Sequence, residues 1–121
     1  MRTAEHEKIN YVEFPAKDII ASKAFFQQAF NWQFTDYGPE YSAFSADSAG
    51  LEGGFYSADL SASTHSGSAL IVLFSAELEL TQHKIETAGG SIVKAIFPFP
   101  GGRRFHFTDP SGNEFAVWSN T

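Results

Sequence analysis

The chain has no cysteine. Disulfides and thiolate ligands are therefore excluded, and any metal would have to be held by other donors. Basic residues are scarce: eight Lys and Arg stand against fourteen Asp and Glu, for a formal net charge of -6. Arg103-Arg104 is the only adjacent basic pair, so no patch exists to neutralise nucleic-acid phosphates. No apolar run approaches the roughly 20 residues of a membrane span. Residues 1–7 are charged, expected to be loose, and lack the apolar stretch of a signal peptide. A cytoplasmic protein is expected. Also missing are a dinucleotide-type Gly-x-Gly-x-x-Gly, a phosphate loop, Gly-x-Ser-x-Gly and His-Glu-x-x-His.

Aromatic residues are what the chain has instead. Thirteen Phe within 43% hydrophobic residues can fill the core of one 121-residue domain. A chain of this length can bury roughly two thirds of its unfolded surface.

The most informative stretch is Asp109-Pro110-Ser111-Gly112-Asn113-Glu114-Phe115-Ala116-Val117-Trp118-Ser119. Pro110 presets φ for a tight turn, Asp109 can bond the backbone ahead of it, and Gly112 and Asn113 tolerate left-handed φ. An earlier stretch mirrors it at an offset of about 62 residues. Asp47, Gly50, Glu52, Tyr56 and Ser57 match Asp109, Gly112, Glu114, Trp118 and Ser119. The mirror continues backward, at a slightly different offset. A strand near Ile9–Phe14 followed by Asp18 and a helical run resembles Ala69–Phe74 followed by Glu77 and another.

In chain order, residues 8–14 alternate as a strand that Pro15 ends, with Tyr11 and Glu13 on one face. Asp18 caps a helix whose buried stripe is Ser22, Phe25, Phe26, Ala29 and Phe30, and Asn31 stops it. Strands follow at Trp32–Tyr37, Tyr41–Ala46 and Glu52–Tyr56. Gly53-Gly54 in the last of these calls for a close approach by a ligand or a partner backbone, or for a bulge. Residues 58–67 read as a linker. Ala69–Phe74 is nearly all apolar and reads as a central, well-covered strand. Leu78, Thr81, Ile85 and Ala88 form the second helix stripe, ended by Gly89-Gly90. Strands at Ser91–Phe97, Arg103–Thr108 and Glu114–Ser119 complete the pattern β-α-β-β-β, twice. The fold class is α+β, one domain of two tandem modules, about 8–57 and 68–119.

Carried by Tyr11–Asp18, Ser22-Lys-Ala-Phe-Phe26, Phe30-Asn-Trp32, Ala88-Gly-Gly90 and Phe107-Thr-Asp-Pro-Ser-Gly-Asn113, the chain resembles the vicinal oxygen chelate superfamily, the glyoxalase/bleomycin-resistance/dioxygenase group. The resemblance implies paired βαβββ modules forming curled mixed sheets around a concave site, and homodimers in which modules pair within or across chains. It also implies metal ligands from the first and fourth strands of each module. Those positions fall on Tyr11, Gly54, Leu70 and Ala116. Gly, Leu and Ala offer no side-chain donor, so no metal cofactor is expected; a divalent metal is the alternative.

If those positions mark the concave side, strand parity adds neighbours to it, and the resemblance implies that the shared face of Arg104 and His106 points inward as well. Tyr11, Glu13, Leu70, Val72, Arg104, His106, Glu114 and Trp118 are the candidate ligand-binding residues, a mixture suited to a small-molecule pocket. His106, Glu13 and Glu114 are the candidates for acid-base work. His106 could equally just bond a neighbour. Arg104 either holds a ligand carboxylate or pairs internally with Glu13 or Glu114. Tyr11 and Trp118 either stack on a planar ligand or belong to the core. The expected function is binding of a small molecule in a metal-free pocket. The alternative is a lyase, isomerase or dioxygenase that uses a metal or His106/Glu chemistry. An interaction module would instead fill the concavity with its own side chains.

Overall fold

The computed structural model describes residues 4–121, so the first part of the expected loose tail, residues 1–3, lies outside it. Strand β1 (Tyr11–Ala16) runs through Pro15 instead of stopping there. It lies at the edge of a four-stranded sheet of order β1-β4-β3-β2, where a residue without an N–H breaks no ladder. Helix α1 (Ile19–Phe30) begins as expected: the Asp18 carboxylate accepts from the Ala21 N–H at 3.0 Å. It ends on Asn31 at a left-handed φ of 59°. Its buried residues Ser22, Phe25, Phe26 and Ala29 follow the expected spacing.

Strand β2 is shorter than expected (Phe34–Asp36). Trp32 turns into the core instead, stacked on Phe26 with ring centroids 4.5 Å apart. Strand β3 (Tyr41–Phe44) leads to α2 (Ala46–Ala49), a single helical turn where a copy of the Asp109 turn was expected. Strand β4 (Glu52–Ser57) closes the first module, pairing parallel with β1 and antiparallel with β3.

The second module contains β5 (Ile71–Phe74), α3 (Leu78–Thr87), β6 (Ser91–Phe99), β7 (Gly102–Thr108) and β8 (Glu114–Ser119). Its sheet has the order β5-β8-β7-β6. Strand β5 is not central as expected but an edge strand. Ile71 and Leu73 pack on the core while Val72 and Phe74 are 41% and 55% exposed. The sequence could not distinguish a strand covered on both faces from one whose second apolar face serves a site.

The core lies on the helix side of both sheets. Phe26 of α1 touches Phe55 of β4 and Phe115 of β8, at centroid separations of 5.6 and 5.2 Å. Phe14 meets Phe115 at 4.8 Å, and Phe25 reaches Phe107 at 6.0 Å. Each fully buried ring contributes roughly 1.5–3 kcal/mol relative to an exposed one. The opposite face of each sheet is left for other uses.

The Asp109 turn ties the modules together. Asp109 Oδ1 accepts from the Ser111 and Asn113 N–H groups at 3.0 and 2.9 Å, while Gly112 takes a left-handed φ of 84°. Across the module boundary, Ser22 Oγ donates to Asp109 Oδ2 at 3.0 Å and the Asp18 N–H donates to Ser111 Oγ at 3.2 Å. The fully buried Asn113 donates to the Pro15 carbonyl at 2.6 Å and accepts from the Ala62 N–H at 2.8 Å. Burial pushes the Asp109 carboxyl up, against the pull of these hydrogen bonds. No helix among the described residues is long and apolar enough to cross a membrane.

Candidate functional site

The face of the second sheet away from the core gathers most of the polar candidates. The register places Val72, Ala116 and His106 in one row and Phe74, Trp118 and Arg104 in the next. Arg104 Nη2 lies 2.9 Å from His106 Nε2, and His106 Nδ1 lies 2.7 Å from Glu114 Oε2. A guanidinium has no acceptor, so Arg104 is the donor and His106 Nε2 must be bare. The ring proton therefore sits on Nδ1 and is donated to Glu114. The other Glu114 oxygen accepts from the Thr64 N–H and hydroxyl at 2.8 and 2.9 Å. Burial raises the Glu114 carboxyl, but the bonds from His106 and Thr64 outweigh it and hold the group below its ordinary range.

Aromatic side chains frame this chain of hydrogen bonds. The Arg104 guanidinium carbon lies 5.5 Å from the Phe97 ring centre and 6.0 Å from that of Phe99. Trp118 meets Phe74 and Phe99 edge-on, at 5.0 and 6.2 Å. Val72, Phe99, Pro100, Arg104 and Trp118 line a cavity of about 400 Å³. A larger cavity of about 490 Å³, between β5 and α2, has no titratable side chain in its lining.

Tyr11 and Glu13 lie elsewhere, on the outer face of the first sheet. Tyr41 Oη donates to Glu13 Oε2 at 2.8 Å and is in contact with Tyr11 Oη at 2.5 Å. With the Tyr41 proton given to Glu13, Tyr11 is the donor to Tyr41. Burial first, then the bonds to Tyr11 and Glu13, push the Tyr41 phenol up, which keeps it protonated. Glu13 lines a different cavity, of about 380 Å³, from the one that holds Arg104 and Trp118. Within one chain the candidate acid-base group is thus divided: His106 and Glu114 are joined, and Glu13 is apart. Arg104 bonds His106 rather than either glutamate considered for it. Leu70 lies just ahead of β5 and lines neither cavity.

A family model described as the Glyoxalase/Bleomycin resistance protein/Dioxygenase superfamily matches residues 8–117. The chain belongs to this superfamily. Solved structures of the superfamily's kind share its fold. A glyoxalase-related enzyme from Fulvimarina pelagi is 15% identical with a TM-score of 0.77, covering 94% of this chain and 88% of its own. A glyoxalase/bleomycin resistance protein/dioxygenase family enzyme from Burkholderia phytofirmans PsJN is 18% identical with a TM-score of 0.74, covering 93% and 98%. The genomically encoded fosfomycin resistance protein FosX from Listeria monocytogenes is 22% identical with a TM-score of 0.75, covering 97% and 96%. No curated protein matches the chain.

The positions that superfamily resemblance assigns to metal ligands do not fit a divalent ion. Leu70 and Ala116 have no donor, and Ala116 is fully buried. At Gly54 a Cβ would meet Tyr41 Oη at 2.5 Å and the Ser42 carbonyl oxygen at 2.9 Å. The close approach anticipated at Gly53-Gly54 is therefore made by the chain itself: the Tyr41 phenol lies where a ligand side chain would emerge. Among the described residues no group of three or more His, Cys, Asp or Glu could hold an ion. His65 and His83 are exposed, and His6 pairs only with Glu7.

Sequence reasoning missed Tyr41, Thr64, Phe97 and Phe99. The gap at Gly54 signalled a neighbour, but the register of β3 that identifies it was not readable. Thr64 lies in the linker, fifty residues from Glu114, and had no local signal.

Proposed function

We propose that this protein binds a small organic molecule on the outer face of its second sheet, without a metal, and that it does so as a homodimer. The observation that carries the reading is the Arg104-His106-Glu114 chain opening beside the cavity of Val72, Phe99 and Trp118. Polar groups converging on an apolar hollow are the usual form of a ligand pocket. Dimerisation is supported by the unpaired edges of the two sheets, which include β1 and β5, and by exposed apolar side chains on both outer faces: Tyr11, Tyr56, Val72 and Phe74. A second copy laying its Tyr11-Tyr41-Glu13 face over this hollow would complete a closed cup. A cytoplasmic setting belongs to the same reading, since packing and hydrogen bonds hold the fold with no disulfide.

The test combines metal analysis of protein purified without chelator with light scattering. Metal-free dimers are expected; one tightly held divalent ion per chain would overturn the metal-free reading, and strict monomers would overturn the cup.

A second reading, a lyase or isomerase, is favoured by the fixed tautomer of His106. A ligand that draws Arg104 away leaves Nε2 free to take a proton, and Glu114 would stabilise the resulting imidazolium. Turnover of any substrate that survives His106→Ala unchanged would remove this reading.

A further inference from the structure

We infer that the ligand of this face is a planar aromatic molecule bearing a single carboxylate, with the carboxylate on Arg104 and the ring against Trp118 and Phe99. The inference rests on the binding reading above and narrows it to a chemical class.

The two adjacent arginines supply the first argument. They point to opposite faces of β7. Arg103 uses all three of its nitrogens: Nε donates to the Thr121 carbonyl at 2.9 Å, and Nη1 and Nη2 grip Glu79 at 2.6 and 3.1 Å. Arg104 has the same five N–H groups but, among the described residues, makes one hydrogen bond, from Nη2 to His106. Its Nε is buried without a partner. Nη1 has no partner either, yet unlike Nε it is not sealed from solvent. Nη1 and the second N–H of Nη2 therefore remain as a fork, the geometry that takes a carboxylate by two parallel bonds.

Local charge sets the number of negative groups. Lys94 stands on the neighbouring strand, paired in register with His106, its Nζ 4.5 Å from the Phe97 ring centre and in no ion pair among the described residues. Two cations, Lys94 and Arg104, thus face one carboxylate, Glu114, with a neutral His106 between them. The surplus is a single positive charge in a chain whose formal net charge is -6. One anionic group balances it. A phosphate dianion would exceed it.

The walls set the shape. Trp118 stands between Phe74 and Phe99, inclined to them by 68° and 66°, and the guanidinium lies against Phe99. Flat faces and ring edges at this spacing suit an aromatic ring better than a flexible chain. The cavity, about 400 Å³, matches one ring or a fused pair. Phe74, 55% exposed, extends the apolar wall outward.

The test is calorimetric titration of the intact protein with three probes of similar size: 2-naphthoate, 2-naphthamide and decahydro-2-naphthoate. Wild type should bind 2-naphthoate about tenfold or more tightly than the amide, the ratio expected of a charge-assisted fork. Arg104→Gln should erase that preference by weakening the acid far more than the amide. Lys94→Ala should weaken both acids by a smaller factor. Trp118→Ala should weaken the aromatic acid more than the saturated one. Far-ultraviolet circular dichroism checks that the variants are folded; if Arg104→Gln is not, Lys94→Ala and the loss of affinity with added salt decide the point. Equal binding of acid and amide, indifferent to Arg104, would overturn the carboxylate while leaving a binding face. Equal binding of the two acids would overturn the ring. No binding of any probe would overturn both this inference and the reading beneath it.

Discussion

Replacing Asn113 by Ala should unbalance the whole domain, because this one amide serves both modules. Its Nδ2 donates to the Pro15 carbonyl at 2.6 Å and its Oδ1 accepts from the Ala62 N–H at 2.8 Å. The side chain is fully buried, so water cannot replace it without entering the structure. Two backbone groups lose their partners, each at a cost of about 1–3 kcal/mol, for a sum of about 2–6 kcal/mol. Partial rehydration at the more open Ala62 N–H favours the lower half, about 3 kcal/mol. Set against a typical domain stability of about 5–15 kcal/mol, the variant should still fold in water but with a large part of its margin gone. With an m-value of about 2 kcal/mol/M, the urea midpoint followed by circular dichroism should fall by about 1.5 M. Asn113→Asp should be no better, since it keeps the acceptor for Ala62 but sets a carboxylate against the Pro15 carbonyl and Asp109. A midpoint within about 0.3 M of wild type at an unchanged m-value would refute the argument that these two bonds join the modules.

Gly54→Ala forces a Cβ against the Tyr41 phenol and the Ser42 carbonyl, and should cost about 1–3 kcal/mol by urea unfolding. Tyr41→Ala in that background should restore part of the loss. Glu114 has a folded carboxyl held below its ordinary value of 4.5, so its contribution to stability is present above that pH and is lost as the pH falls below it. Midpoints measured from pH 6 to pH 3 should therefore drop less steeply in Glu114→Gln than in wild type, although the variant starts lower. Thr64→Val removes one of the two bonds from Thr64 to Glu114 and should cost about 0.5–1.5 kcal/mol in the same assay.

Much of the fold was legible because its signals are local. The Asp18 cap, the Ser22-Phe25-Phe26-Ala29 stripe, the left-handed Asn31 and the Asp109 turn each depend on a few neighbouring residues. The errors fell where tertiary context decides. Pro15 stays in β1 because that strand is an edge, and Val72 and Phe74 are exposed because β5 is one too. Ala46–Ala49 coils into α2 although Asp47 and Gly50 match Asp109 and Gly112 of the later turn, which shows how weakly two matching residues constrain a backbone. In the candidate site, strand parity grouped Arg104 with His106 and Glu114 with Trp118, since alternation is intrinsic to a strand, and the family resemblance set the two pairs on one face. Parity gives no distance between sheets, so it could not tell that Glu13 would lie with Tyr41 and not with His106.

The phenol lying over Gly54 acts as a ratchet on descent. Placing an imidazole or carboxylate at that position by a single substitution meets a clash, while deleting the phenol first strips Glu13 and Tyr11 of their hydrogen-bond partner and returns no donor. Either order of steps crosses a disadvantage before any gain. The chain's own packing thus keeps this position free of a donor side chain.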